Sequence, residues 1–217
     1  MTWLLDLDGV VWLADEPVPG SAEAIATLRN GGTRVVFLTN NSAATVEEYL
    51  AKLAGMGVPT ERDDLITSAQ AAARLVEPGE TVLVCAGPGV DEALVARGAR
   101  PVRRGPADAV IVGWHREFDY GRLTAAFDAV RTGARLIGTN DDATYPTPGG
   151  PIPGGGSILA AVAYASGAEP VVAGKPHTPV VEVIRAKVAD AEVMVGIGPR
   201  PTGSSPAAWG CPSRWCC

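Results

Sequence analysis

The sequence predicts an α/β protein built on a parallel sheet. Short apolar runs alternate with stretches of helical periodicity, and several of the runs end in clusters of Asp, Asn, Gly or Lys. Alternation of this kind argues for parallel strands joined by covering helices. The chain has 217 residues, 47% of them hydrophobic. That is enough for a packed core in one large or two small domains.

In chain order, Trp3–Leu7 reads as a buried strand. Ser21 is a candidate N-cap for a helix running to Arg29, which Gly31-Gly32 would end. Arg34–Leu38 is a second strand, and Ala44–Met56 carries Val46, Tyr49, Leu50 and Leu53 at helical spacing. Leu65-Ile66 is a short strand and Ser68–Val76 a helix. A second series then follows: strand Thr81–Cys85, helix Val90–Arg97, strand Ala109–Val112, helix Tyr120–Arg131 and strand Arg135–Gly138. Asn140–Ser157 is rich in Gly, Pro and Thr and reads as a binding loop without regular structure. Helix Ile158–Ala165 comes next. Strand Val171–Ala173, helix Thr178–Ala189 and strand Glu192–Val195 complete the pattern.

Composition excludes several functions. The net charge is −6, a poor match to nucleic acid, whose phosphates need clustered Lys and Arg. No apolar run reaches about 18 residues, so no transmembrane helix is expected. Met1–Asp6 has no basic n-region, so no signal peptide is expected either, and the expectation is a cytoplasmic protein with reduced thiols. Cys85 stands alone, whereas Cys211, Cys216 and Cys217 crowd the last seven residues. That spacing fits neither a disulfide framework nor a zinc site.

Three strand ends carry chemistry. The first strand runs into Asp6-Leu7-Asp8-Gly9-Val10. Residues i and i+2 of a strand point the same way. Asp6 and Asp8 therefore meet at the carboxyl end of a buried strand, where open α/β sheets bind ligands. Two close carboxylates are costly unless a cation neutralises them, and a hard divalent ion such as Mg²⁺ fits oxygen donors. A turn or N-cap cluster is the plainer reading, but the apolar strand just before it favours function. The second strand ends in Thr39-Asn40-Asn41-Ser42, whose hydroxyl and amide groups suit phosphate oxygens or, equally, helix caps. Lys175 lies in Gly174-Lys175-Pro176-His177 after an apolar run. It either reaches the same crevice, where it would neutralise a phosphoryl group or the carboxylate pair, or is solvated in a turn. His177 reads as a helix-start residue and His115 as a loop contact.

The ordered set D-L-D-G-V, L-T-N-N-S, a long insert and A-G-K-P resembles the haloacid dehalogenase superfamily of phosphotransferases. In detail it is similar to the NagD-like and phosphoglycolate/4-nitrophenyl phosphatase branch, as is T-N-D-D-A-T-Y-P-T-P-G-G at Thr139–Gly150. The resemblance covers Thr2 to about Gly196 and implies a Rossmann-like doubly wound parallel-sheet core with an inserted α/β cap domain. Residues 1–76 would be the first part of the core, 77–168 the cap and 169–196 the second part of the core. By the same resemblance Asp6 matches the nucleophile that forms an aspartyl-phosphate. Asp8 matches the general acid/base, and Lys175 the charge-balancing lysine. Thr39 and Asn40, with Asn41 beside them, match the phosphoryl-orienting motif. Asp6 and Asp8, the latter through its backbone carbonyl, match Mg²⁺ ligands. The implied substrate is a small phosphorylated metabolite, without nucleic acid or membrane, and a homodimer is compatible with this reading. Asn140–Pro151 is the candidate for substrate-facing or interdomain contacts.

Three other readings explain less. A metal-dependent glycosyltransferase using D-L-D leaves Thr39 and Lys175 without a role. A phospho-receiver module has its accepting Asp on a later strand and no insert of this length. A catalytically inactive relative accounts for the departure described next.

The resemblance stops at Gly196. The family's last core strand runs into Gly-Asp and a second acid, but here Ile197-Gly198-Pro199 follows, and no Asp or Glu occurs after Glu192. GC-rich codons can be chosen for Gly196–Cys217 that, read from the third base of the Gly196 codon, encode D-R-P-P-T-D-G-L-F-A-R-R-L-G-V-P-V-A-V-V-L. That string restores both acids, an amphipathic helix and an apolar strand. Residues 197–217 are therefore expected to be an aberrant, frameshifted tail that leaves the core incomplete at the C-terminus, the protein poorly soluble and its activity impaired. Resequencing the DNA across Gly196 is expected to reveal a base inserted or lost there. An uninterrupted frame through Cys217 in independent reads would overturn this.

Overall fold

The computed structural model describes residues 1–188 and, as backbone, 191–195. The sequence-based reading of residues 197–217 lies outside the described residues. Two parallel sheets form the frame. The first is built from β1 (Thr2–Asp6), a short hairpin of β2 (Trp12–Leu13) and β3 (Glu16–Pro17) beside it, α1 (Ser21–Asn30), β4 (Arg34–Thr39), α2 (Val46–Gly55), β5 (Leu65–Thr67) and α3 (Ser68–Ala73). The second contains β6 (Thr81–Cys85), α4 (Pro88–Arg97), β7 (Arg100–Val102), β8 (Ala109–Val112), α5 (Tyr120–Arg131) and β9 (Arg135–Gly138). The hairpin β10 (Thr144–Tyr145) and β11 (Ile152–Pro153), α6 (Gly155–Ser166) and β12 (Val171–Val172) follow, and α7 (Thr178–Lys187) leads into β13 (Ala191–Val195).

The first sheet has the order β13-β1-β4-β5 and the second β12-β9-β8-β6-β7. After β1 the chain moves outward through β4 to β5, then returns late to lay β13 on the other side of β1. The reversal puts a crevice at the carboxyl end of β1, the position at which open sheets bind ligands. Register places Asp6 opposite Leu38 of β4, and Leu5 opposite Val195 of β13.

Alternation within strands explains the layers. Val35 and Phe37 face a cluster with Ile25 of α1 and Tyr49 and Leu53 of α2. Val36 and Leu38 face the opposite cluster, which also holds Ala71 of α3, Val84 of β6, Ile111 of β8 and Val183 of α7. Both sheets thus share one core, with α3, α4 and α7 contributing to it. Strands buried on both faces read as continuous apolar runs, as these do. The far face of the second sheet packs Val110 and Val112 against α5 and α6 through Ala126, Leu159 and Val162.

Several elements differ from the sequence reading, for physical reasons. The α1 N-cap is Gly20 at φ 81°, and Ser21 is already helical, its hydroxyl donating to the Val11 carbonyl at 3.3 Å. Thr45 caps α2 through a reciprocal box with Glu48, which sets its start at Val46. Asn140–Ser157 is not devoid of regular structure: it holds the β10–β11 hairpin and the first residues of α6. β12 pairs with β9, so the five-stranded sheet extends past the expected limit at 168. Among the described residues no helix is long and apolar enough to cross a membrane.

The two sheets meet most tightly where α4 begins. The Gly89 N–H donates to the Ala43 carbonyl at 3.1 Å, and a Cβ on Gly89 would lie 2.1 Å from the Ala44 carbonyl oxygen. Glu92, one turn later, accepts from the Val46 N–H at 2.7 Å and from Arg62 at 3.2–3.3 Å. Gly89→Ala is expected to force backbone apart here and cost about 1–3 kcal/mol. Urea unfolding checks this, and an unchanged midpoint would show that the junction is compliant.

Candidate active site

Residues Leu7 to Trp12 fold the chain back on itself directly after β1. The Leu7 carbonyl accepts from the amides of Val10, Val11 and Trp12, and Gly9, at φ 81°, makes the tight turn. The turn holds Asp8 two residues beyond Asp6 and brings the buried Trp12 beside it. Asp6 Oδ2 lies 2.7 Å from Lys175 Nζ, with both side chains largely buried. Asp6 Oδ1 accepts from the Leu7 amide at 2.9 Å. Burial pushes the Asp6 carboxyl above its ordinary pKa, the Lys175 ammonium pulls it back, and the nearby Asp8 charge adds to the rise.

Asp8 is held by three donors. Its Oδ1 accepts from Trp12 Nε1 at 3.1 Å and from the Tyr145 hydroxyl at 3.0 Å, and its Oδ2 accepts from Thr39 Oγ1 at 3.1 Å. Thr39, fully buried at the end of β4, accepts in turn from the Asn41 amide at 3.0 Å. Burial and the Asp8 charge drive the Tyr145 hydroxyl pKa up, so it stays a donor.

Asn40 acts as a clasp. Its Oδ1 accepts from the Lys175 amide at 2.8 Å, and its Nδ2 donates to the Lys175 carbonyl at 3.0 Å and to Asp142 Oδ2 at 2.9 Å. Its own carbonyl accepts from Ser68 and from Asn140 Nδ2, at 2.6 and 2.7 Å. Gly174 permits this approach, since a Cβ there would lie 2.5 Å from the Thr139 carbonyl and 2.7 Å from Asn40 Oδ1. Residues 40 and 175, far apart in sequence, are thereby locked together. Asn41 makes local contacts instead: its Oδ1 accepts from Ala43 N–H and its carbonyl from the Tyr49 hydroxyl.

The sequence-selected residues Asp6, Asp8, Thr39, Asn40, Asn41 and Lys175 thus lie around one crevice. Asn40 differs from the expected role in that its side-chain amide is engaged with the Lys175 backbone and Asp142. Trp12, Asp142 and Tyr145 complete the site without an individual signal in the sequence, although the last two lie in the Asn140–Pro151 segment. His177 caps α7 only through its backbone position, and its Nε2 pairs with Asp141 at 2.9 Å. His115 is a buried loop contact that pairs with the Gly113 carbonyl at 3.0 Å. Burial lowers the His115 pKa and raises that of the Cys85 thiol to about 11.

The donor chemistry suits a hard cation. Asp6 and Asp8 supply carboxylate and carbonyl oxygens, the ligand type that magnesium and calcium select. Among the described residues no group of three or more acidic, His or Cys side chains is arranged to hold a metal.

Comparison with known proteins agrees with this geometry. The family model for haloacid dehalogenase-like hydrolases matches residues 3–100. An acid sugar phosphatase of Staphylococcus saprophyticus is 34% identical over 211 residues, covering 90% of the chain and 82% of that protein. D-glycerol 3-phosphate phosphatase of Mycobacterium tuberculosis is 37% identical over 179 residues, covering 80% of the chain and 50% of the relative. A crystal structure of glycerol phosphate phosphatase from M. tuberculosis in complex with magnesium superposes with a TM-score of 0.82 at 34% identity, over 89% of this chain and 60% of that one.

Asn40→Ala would remove both bonds to the Lys175 backbone and the bond to Asp142. The variant is expected to lose about 1–3 kcal/mol, the cost of leaving such groups unpaired. Urea melts against the parent check this, and an unshifted midpoint would show that the clasp carries no stability.

Proposed function

Because the chain belongs to the haloacid dehalogenase-like hydrolases, in their NagD-like phosphatase branch, we propose that it hydrolyses phosphomonoesters of small metabolites through an aspartyl-phosphate on Asp6. The observation that carries this reading is the Asp6–Lys175 pair at 2.7 Å, with Asp8 held by Thr39 on the neighbouring strand. A nucleophilic carboxylate must be ionised, and Lys175 opposes the effect of burial on Asp6. The same ammonium stands where negative charge gathers on a transferred phosphoryl group. Thr39 fixes Asp8, and Asn40 fixes the Lys175 backbone.

In the first half-reaction an Asp6 carboxylate oxygen bonds to phosphorus as the ester P–O bond breaks. A proton from Asp8 passes to the leaving oxygen and gives an alcohol. In the second, Asp8 takes a proton from water, the resulting hydroxide bonds to phosphorus, and inorganic phosphate leaves as the Asp6 carboxylate is regenerated. The Asp6 carboxylate and the Asp8 carbonyl would hold Mg²⁺, consistent with the magnesium complex of the M. tuberculosis relative. Bound there, the ion supplies positive charge to the phosphoryl oxygens. Relatives named acid sugar phosphatase and D-glycerol 3-phosphate phosphatase favour a small sugar or polyol phosphate as substrate.

Residues 1–76 and the chain that follows β12, through α7 and β13, form the catalytic core in this reading, and the cap is the insert that carries the second sheet, β12 included. One specific observation favours a weakened form: the sequence offers no acid after Glu192 to complete the metal site. The chain as written is expected to give slow, Mg²⁺-dependent hydrolysis of 4-nitrophenyl phosphate. Asp6→Asn should abolish that turnover, together with the acid-quenched phosphopeptide bearing Asp6. Restoring the alternative frame after Gly196 should raise the rate. Turnover that survives Asp6→Asn would overturn the nucleophile assignment, and robust turnover by the present chain would overturn the reading of its tail.

A further inference from the structure

We propose that Tyr145 is a positioning residue that acts through Asp8, an inference that rests on the phosphatase reading above. A carboxylate offers about four lone-pair sites. Three on Asp8 are used, by Trp12, Thr39 and Tyr145. Trp12 and Thr39 belong to the first sheet and its turn, and both are essentially fully buried. Tyr145 comes from the β10–β11 hairpin, which follows the second sheet in the chain. Among the described residues it is therefore the one donor to Asp8 whose position depends on how the second unit sits over the crevice.

The hydroxyl is aimed by a small aromatic stack. The Tyr145 ring lies on Trp114, with centroids 5.0 Å apart and planes 25° apart. Trp114 is itself fixed, since its Nε1 donates to the Pro153 carbonyl of β11 at 3.1 Å. Arg116 lies over the Trp114 ring, its guanidinium carbon 5.6 Å from the centroid. Arg116 and Trp114 follow β8 of the second sheet, so the stack ties that sheet to the Asp8 carboxylate.

Trp12 and Tyr145 share Oδ1, which leaves an open lone pair on Oδ2, beside the Thr39 hydroxyl. That fixes which Asp8 oxygen meets the leaving group. In the transfer step the P–O bond breaks, the Asp8 proton moves to the departing oxygen, and Asp6 takes the phosphoryl group. Tyr145 neither gains nor loses a proton. It keeps Asp8 in the rotamer from which the transfer is made, and only when the hairpin is seated.

The leaving group separates this role from a general structural one. An alkoxide needs the proton to leave, whereas 4-nitrophenolate is a stable anion and needs it little. Tyr145→Phe keeps the ring on Trp114 and loses only the hydroxyl. The ratio of kcat for glycerol 3-phosphate to kcat for 4-nitrophenyl phosphate is expected to fall about tenfold, a part of the roughly 10²–10⁴-fold that acid–base assistance contributes in general, with KM little altered. Trp114→Ala should lower the same ratio, and the double variant should be no worse than Tyr145→Phe. Equal loss on both substrates, or an unchanged ratio, would overturn the proposal. Absence of turnover by the parent protein would count against the phosphatase reading instead. The coupling is then read without catalysis, from the carbonyl ¹³C resonance of the Asp8 side chain, identified by its loss in Asp8→Asn. Tyr145→Phe should shift it, and an unmoved resonance would overturn the proposal.

Discussion

The contact between Asp6 and Lys175 is the constraint on which the rest of the site depends. Asp6 ends β1 and the turn after it holds Asp8 two residues on, so strand end and turn together bring two carboxylates close. Burial raises the cost of charging Asp6, and the Asp8 charge raises it again. Lys175 at 2.7 Å opposes both effects. It reaches that position only because the Asn40 amide takes hold of both its N–H and its carbonyl. The Asn40 carbonyl is in turn held from Ser68 and Asn140. An electrostatic need at the end of one strand is thus met by a hydrogen-bond framework drawn from four separate stretches of chain.

That framework requires two sheets that keep a fixed relation. The shared apolar core between them supplies much of it, through Val36, Ile66, Val84, Ile111 and Val183. Apolar packing is non-directional, however, and does not set a register. Direction comes from the polar and close-packed junctions: the Gly89 amide on Ala43, Glu92 on the Val46 amide, and Ser42 Oγ on Thr139 Oγ1 at 3.0 Å. Ser42 and Thr139 are fully buried, so each satisfies the other's hydroxyl where water does not reach. These contacts lie beside the crevice, and the geometry that positions Tyr145 and Asp142 is inherited from them.

The sequence revealed what local pattern determines. Asp6, Asp8, Thr39 and Lys175 each stand at or just beyond the end of an apolar run, and strand ends of parallel sheets converge on one edge. Most strands were legible because burial on both faces makes them continuous apolar stretches. Arg100–Val102 was not, because a short edge strand with Pro101 carries no such signature. Ser21 misled as a cap because Gly20, at positive φ, starts the helix one residue earlier. The part played by Asn40 lay out of reach for a different reason: its partner is the backbone of residue 175, and a backbone contact leaves no trace in side-chain spacing. Trp12 and Tyr145, which bond the Asp8 side chain, are hidden for another reason: an aromatic residue next to a turn is ordinarily core.

The local charge balance also bears on what the crevice can hold. Asp6, Asp8 and Asp142 contribute three carboxylates, and among the described residues Lys175 is the single ammonium in contact with this group, while His177 is paired with Asp141. When all are ionised the site carries a net charge of about −2 before any substrate arrives. A phosphomonoester brings about −1.5 to −2 more. At the short distances of such a site like charges repel strongly, and low dielectric magnifies the repulsion. Lys175 supplies one positive charge, which Asp6 and the phosphoryl oxygens must share. A divalent cation against Asp6 and the Asp8 carbonyl would cancel most of what the substrate adds. Binding of the ester, and not only its cleavage, is therefore expected to depend on the cation.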